Sequence, residues 1–190
     1  MDLKKYCCKD PMRPELSEPF TQRGVRWATN GAFSVGVPSG EPDTKSSPVD
    51  MGMVADAARA PGEWFEIPGF EGRSCPKCKG KAENFECYEC SGNGYVTLEN
   101  EFTKYADLEC GSCMGEGTVP VCIYCAGSGI DNEEEVIIGG VMFLANALLV
   151  LKELPGLEIY PTGKETPAFL RFSGGGVGFL MPGQEHGEAR

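Results

Sequence analysis

Eight of the ten cysteines in this chain fall in four C-x-x-C pairs, a spacing typical of metal binding. The pairs are Cys75/Cys78, Cys87/Cys90, Cys110/Cys113 and Cys122/Cys125. Two sulfurs three positions apart can bind one tetrahedral ion only if the chain turns back sharply. Glycine permits this turn because it adopts positive φ without a Cβ clash, and each pair is followed by a glycine two positions later. The pattern therefore predicts zinc bound by thiolates, as a structural element with a closed coordination shell.

The gaps between the pairs suggest how the pairs combine. Eight residues separate the first two pairs, nineteen the middle two and eight the last two. This palindromic spacing suits a hairpin in which the second and third pairs share one zinc at the tip and the first and fourth share another at the base. Adjacent pairing, first with second and third with fourth, is the alternative that the spacing leaves open.

The residues that follow the cysteines resemble a known family. Three pairs continue as x-G-x-G, and the first continues as Lys79-Gly80-Lys81-Ala82, which lacks the second glycine. Residues 75–125 thus resemble the cysteine-rich zinc domain of DnaJ-type chaperones, whose signature is four C-x-x-C-x-G-x-G repeats. The resemblance implies two Zn²⁺ ions with the following ligand sets: Cys75, Cys78, Cys122 and Cys125 for one zinc, and Cys87, Cys90, Cys110 and Cys113 for the other.

The resemblance does not extend to the chaperone activity of that family. Its J domain carries a His-Pro-Asp tripeptide, whereas the single histidine here, His186, is followed by Gly187. The chain after Cys125 is also too short for the family's paired substrate-binding domains. The zinc module is therefore interpreted as one part of a different protein. Cys7 and Cys8 lie outside the four pairs and are interpreted as ordinary residues or a minor reactive pair.

Composition and charge restrict the partners and the compartment. The formal charge is −11 with a pI near 4.6, and two four-thiolate zinc sites would bring it to about −15, which disfavours passive binding to nucleic acid or to an anionic membrane. The first residues lack the apolar stretch of a secretory signal, and the longest apolar run, 136–151, is too short to span a membrane. We expect a cytoplasmic protein whose partners are proteins.

Both flanks of the cysteine segment read as α+β structure built from antiparallel strands. Before the cysteines, 24–29 and 32–37 form a predicted hairpin through Asn30-Gly31, and 38–61 reads as a long loop with a helical turn at 54–59. Trp64, Phe65 and Ile67 are expected to fix that loop to the body. The later segments are predicted as follows: an acidic connector and helix start at 131–135, a helix through Val141, Leu144, Ala145, Leu148 and Leu149, and a meander of 157–160, 168–172 and 177–181.

The predicted organisation is one interrupted domain. Residues 1–70 form its first half, 71–130 the two-zinc insertion, 131–182 the second half and 183–190 a tail. The flanks resemble the DNA sliding-clamp fold and the small clamp-like proteins of bacteriophages, a likeness carried by the segments Arg13-Pro14-Glu15-Leu16, Ala28-Thr29-Asn30-Gly31, Trp64-Phe65-Glu66-Ile67-Pro68 and Phe179-Leu180-Met181-Pro182. This implies the cytoplasm of a bacterial host. A closed ring would need several copies of this domain, so the resemblance allows homo-oligomers. Encirclement of DNA is not inferred from it.

The sequence favours a non-enzymatic zinc-binding adaptor that acts on other proteins. It contains no Ser-His-Asp set, no H-E-x-x-H motif and no Walker loop, and a four-cysteine zinc site leaves no position for a substrate. A clamp-like accessory factor of DNA replication is the first alternative, with nucleic acid contacted through assembly. A holdase chaperone or thiol redox protein is the second.

Overall fold

The computed structural model divides the chain into two compact units. The sheet unit comprises Met1–Gly72 with Asn132–Arg190, and the cysteine unit comprises Arg73–Asp131. The structure describes residues 1–9, 13–44, 50–57, 59, 61–81, 83–100, 102–122, 124–125, 127–131 and 133–183. His186 lies outside these residues. None of the helices described is long and apolar enough to cross a membrane.

Antiparallel strands dominate both units, and the helices are short. The strands are β1 (Phe20–Gln22), β2 (Val25–Thr29), β3 (Phe33–Pro38), β4 (Phe65–Glu66), β5 (Glu83–Glu86), β6 (Tyr95–Glu99), β7 (Lys104–Glu109), β8 (Thr118–Val121), β9 (Glu135–Ile138), β10 (Val141–Leu144), β11 (Glu158–Tyr160), β12 (Ala168–Phe172) and β13 (Gly176–Leu180). The α-helices are α1 (Gly52–Ala57) and α2 (Ala145–Leu151), and single 3₁₀ turns span Lys4–Tyr6 and Pro14–Leu16. This content fits an α+β or mainly β fold.

The sheet unit is built on a seven-stranded antiparallel sheet in the order β1-β2-β3-β13-β12-β11-β4. The predicted β2–β3 hairpin is confirmed, since Trp27 pairs with Gly36 and Thr29 with Ser34. Its turn is held by Asn30, whose side-chain oxygen accepts hydrogen bonds from the N–H groups of Ala32 and Phe33. The predicted meander is also confirmed as β11, β12 and β13.

The predicted helix around Val141 is wrong over its first turn. Val141 and Leu144 belong to strand β10, which pairs with β9, and the helix begins only at Ala145. The chain reverses at Gly139 and Gly140, whose φ angles of +58° and +79° suit a two-residue hairpin turn. The interpretation of 131–135 as a helix start fails for the same reason, because β9 starts at Glu135.

Each face of the large sheet has its own apolar cluster. On one face, Leu148 and Leu151 of α2 are buried against a core that includes Val35 and Leu170. On the other face, Trp27 is 1% exposed and packs in a second cluster with Met51, the residue before α1. The sheet unit therefore contains two cores that include none of the eight paired cysteines.

The long loop returns to the sheet as expected, but it also adds a strand. Phe65 and Ile67 pack against the core that contains Val35 and Leu170. Phe65 also pairs with Ile159 as part of the edge strand β4. The predicted helical turn at 54–59 appears as α1, which begins two residues earlier; residues 45–49, 58 and 60 of this loop lie outside the described residues.

Candidate metal centre

The last three cysteine pairs of the cysteine unit are each followed by a turn that points a backbone N–H group at sulfur. In the second repeat, Ser91 and Gly92 have φ angles of +49° and +77°, and the Gly94 N–H then donates a hydrogen bond to Cys90 Sγ over 3.2 Å. The same bond recurs from Gly117 to Cys113 Sγ and from Gly129 to Cys125 Sγ, at 3.3 Å each. Hydrogen bonds of this kind favour the thiolate, the form that binds metal.

The second glycines of the two inner repeats interlock. A Cβ placed on Gly94, which has φ +79°, would lie 2.2 Å from the carbonyl oxygen of Gly115. A Cβ on Gly117, which has φ +73°, would lie 2.2 Å from the carbonyl oxygen of Gly92. This close approach explains why the two inner repeats require glycine at their last position, since any other residue there would collide with backbone.

Backbone hydrogen bonds tie the repeats together in the same way. The Cys87 N–H donates to the Gly117 carbonyl over 2.9 Å, and the Cys110 N–H donates to the Gly94 carbonyl over 2.8 Å. In the outer repeats, the Cys75 N–H donates to the Gly129 carbonyl over 2.9 Å. Each of these bonds joins the first cysteine of one pair to the last glycine of another, so the turns and the cysteine groups form together.

The structure brings the outer pairs together and the inner pairs together. Strands β5 and β8 pair between the two groups along the chain, and β6 and β7 form a hairpin beyond the inner group. The sulfur distances are 4.0 Å for Cys75–Cys122, 3.7 Å for Cys78–Cys125, 3.8 Å for Cys87–Cys110 and 3.7 Å for Cys90–Cys113. Within each group of four, all sulfurs lie within 4.8 Å of one another. The adjacent pairing that the spacing left open is not the arrangement seen.

These distances fit tetrahedral zinc. A Zn–S bond of about 2.3 Å in a tetrahedral site places neighbouring sulfurs about 3.8 Å apart. A disulfide would require about 2.05 Å, and all eight cysteines are free thiols. All eight are also buried, so the ligand shell is closed to solvent. The two groups therefore fit two zinc ions, as predicted, and would hold them as structural metals.

Thiol ionisation couples metal binding to pH. Burial raises the pKa of the Cys78 thiol to about 12 and that of Cys113 to about 11. Burial acts in the same direction on Cys125, but hydrogen bonds from the Gly129 N–H and from the neighbouring thiols of Cys122 and Cys78 lower its pKa overall. Zinc must therefore displace protons from Cys78 and Cys113 when it binds, and its affinity falls as the pH falls.

The apolar core of the cysteine unit is too small to fold it. Among the described residues, its buried cluster contains only Phe85 and Val119 besides the cysteines. Burying two such side chains contributes roughly 3 to 6 kcal/mol, whereas ordering the backbone costs about 1 kcal/mol or more for every residue. Structural zinc binds small peptides with about 10 to 16 kcal/mol per ion, which makes the metal the main source of cohesion here.

Comparison of the chain with protein families, with curated proteins and with solved structures gave no match in any of the three. The likenesses to the DnaJ zinc domain and to sliding clamps therefore stay predictions from short motifs.

Cys7 and Cys8 take no part in the two groups. Cys7 is buried in the core of the sheet unit, and burial raises its pKa to about 11, as suits an inert thiol.

The cysteine unit carries an exposed apolar surface that the sequence did not lead us to predict. In the β6–β7 hairpin, Val96 pairs with Leu108 and Leu98 pairs with Tyr105, and a bulge between the two pairs keeps all four side chains on one side. We call these four residues the hairpin face. Leu98 and Tyr105 are 58% and 54% exposed. The alternation of apolar residues at 96 and 98 could have indicated it, but the zinc pattern dominates this segment.

The interlocked glycines yield a prediction for the inner site. Gly94→Ala should weaken zinc binding there at least about tenfold, because the left-handed backbone alone costs about 1 to 2 kcal/mol with a side chain and the Gly115 carbonyl must also move. Gly111→Ala is the matched control, since a Cβ at that position meets nothing within 4 Å. Competition against a chromogenic chelator measures both affinities; equal values for the two variants would contradict the interlock.

Proposed function

We propose that this chain is a non-enzymatic, zinc-binding adaptor that binds another protein through its cysteine unit. In this proposal the unit is a DnaJ-type zinc module in which the metal fixes a docking surface and takes no part in chemistry. The closed four-sulfur shells support a structural role, since they leave no coordination position for water or substrate.

The exposed apolar surface at the tip of the cysteine unit carries this proposal. Phe102, in the turn between β6 and β7, is 90% exposed. The side-chain oxygen of Asn100 accepts hydrogen bonds from the N–H groups of Phe102 and Thr103, which hold the backbone of these two residues against the end of β6. Phe102 lies at the end of the hairpin that carries the hairpin face. Exposed aromatic and aliphatic side chains on a fixed backbone are typical of protein-binding surfaces.

Site-specific photocrosslinking tests this proposal. A photoreactive phenylalanine analogue in place of Phe102 should crosslink a discrete protein in the native host cell, and the same analogue at Met53, which is 82% exposed in the sheet unit, should not crosslink that protein. The yield should fall at least about fivefold when Leu98→Ser and Tyr105→Ser are added. Equal crosslinking from both positions, or a yield unaffected by the two serines, would contradict docking at the hairpin.

A further inference from the structure

The charges of the cysteine unit are segregated along the chain. The first repeat region carries the basic residues Arg73, Lys77, Lys79 and Lys81. The inner region from 83 to 116 carries the acidic residues Glu83, Glu86, Glu89, Glu99, Glu101, Asp107, Glu109 and Glu116, and a single basic residue, Lys104. The part of the unit that contains the inner zinc site is therefore strongly anionic.

Carboxylates lie on both strands that carry the hairpin face. Glu99 ends β6, while Asp107 and Glu109 lie on β7, and all three side chains are exposed. Asp107 sits at the bulge, with φ +55°, between the two apolar pairs. The one basic residue of this region is Lys104. Its Nζ lies 3.0 Å from Glu99 Oε2, so its positive charge is paired with that carboxylate.

The inner metal site adds to this charge. Four thiolates with one Zn²⁺ carry a formal charge of −2, and the zinc geometry fixes that charge at the base of the hairpin. Glu99 and Glu109 directly follow Leu98 and Leu108 along their strands, so they lie on the side of the two-stranded hairpin opposite the hairpin face. The negative charge acts across this single layer of strands, where it repels nucleic acid and anionic lipid headgroups. It attracts a surface with the opposite pattern.

We propose that the hairpin face, together with Phe102, binds a cationic amphipathic segment of a partner protein, one that presents apolar side chains beside lysines or arginines. This inference rests on the proposed adaptor function and specifies the chemistry of the partner. Apolar contacts with Leu98, Tyr105 and Phe102 supply the affinity, and the carboxylates select basic over acidic partners.

A matched pair of synthetic peptides tests the inference. The first is a fluorescent amphipathic peptide of leucine, alanine and lysine, and the second replaces every lysine with glutamate. With the zinc-loaded full chain, fluorescence anisotropy should show micromolar binding of the lysine peptide that weakens as salt is raised. The glutamate peptide should bind at least tenfold more weakly. Equal binding of both peptides, or tighter binding of duplex DNA than of the lysine peptide, would overturn the inference.

Charge variants test whether the lysine peptide binds because of the carboxylates on the hairpin or because the whole protein is acidic. Glu99→Gln, Asp107→Asn and Glu109→Gln together should weaken binding of the lysine peptide at least fivefold. The control removes the same charge from exposed positions of the sheet unit, through Asp43→Asn, Glu63→Gln and Glu165→Gln, and should change the affinity less than twofold. Zinc content measured on both variants confirms that the cysteine unit is folded. Equal losses in the two variants would overturn the inference.

The apolar half of the surface needs its own variant. Leu98→Ser with Tyr105→Ser should weaken binding of the lysine peptide at least tenfold while both zinc ions are retained, because both side chains are exposed and pack in no core. Unchanged binding would overturn the inference. If Phe102 crosslinks a partner but the lysine peptide does not bind, the partner chemistry proposed here is wrong and the adaptor function stands.

Discussion

Removing zinc under reducing conditions is expected to unfold the cysteine unit, Arg73–Asp131, and to leave the sheet unit folded. The cysteine unit has only two buried apolar side chains besides its cysteines among the described residues, so loss of about 10 to 16 kcal/mol per ion exceeds anything that packing can supply. Hydrogen exchange measured by mass spectrometry, before and after a high-affinity chelator, should show complete loss of amide protection in β5–β8.

Strands β2, β3, β12 and β13 of the sheet unit are the internal control for this experiment. They lie centrally in the seven-stranded sheet and are covered by apolar clusters without metal ligands, so their protection should persist. Restoring Zn²⁺ should restore protection in the cysteine unit. Protection of β5–β8 that survives chelation would mean that side-chain packing, rather than zinc, holds the unit together.

The second large effect concerns how the cysteines are shared between the two sites. Cys87→Ala with Cys110→Ala should lower the zinc content from two ions per chain to one, because both residues belong to the inner group. Under adjacent pairing, the same two substitutions would remove one ligand from each site and damage both. Native mass spectrometry under reducing conditions counts the ions directly.

A complementary variant controls for a general loss of folding. Cys78→Ala with Cys125→Ala removes two ligands of the outer group and should also leave one ion, now at the inner site. Hydrogen exchange should then retain protection in β6 and β7, which adjoin the inner group. Loss of both ions from either double variant would contradict two separate groups of four.

The metal centre could be predicted from sequence because its chemistry is local. The C-x-x-C spacing, and the glycine after each pair, follow from the tight turn that brings two sulfurs to one ion. The combination of distant pairs is not local, and the palindromic gaps left two arrangements open. The structure decides between them through long-range contacts such as Cys87 N–H to the Gly117 carbonyl.

The error at Val141 has a physical explanation. Residues 141–144 are all apolar, so they satisfy a helical and a strand period equally well. The deciding feature is the Gly139-Gly140 turn, which reverses the chain and pairs β10 with β9. Gly-Gly between two apolar runs is a recognised hairpin signal, and it outweighs the helical pattern here.

The exposure of the hairpin face could not be predicted from the sequence. Val96 packs against the cysteine cluster, whereas Leu98 and Tyr105, farther along the same side, are exposed. Their pairing also depends on the bulge at Asp107, which no residue type in the sequence requires. A strand pattern alone predicts which residues share a side, but not whether that side is buried.

The zinc content of freshly purified, reduced protein tests the central claim most directly. Elemental analysis combined with native mass spectrometry should give two zinc ions per chain, bound by eight deprotonated cysteines that resist alkylation until a chelator is added. A chain without metal whose cysteine unit is nevertheless folded, or one whose cysteines are joined as disulfides, would contradict the account.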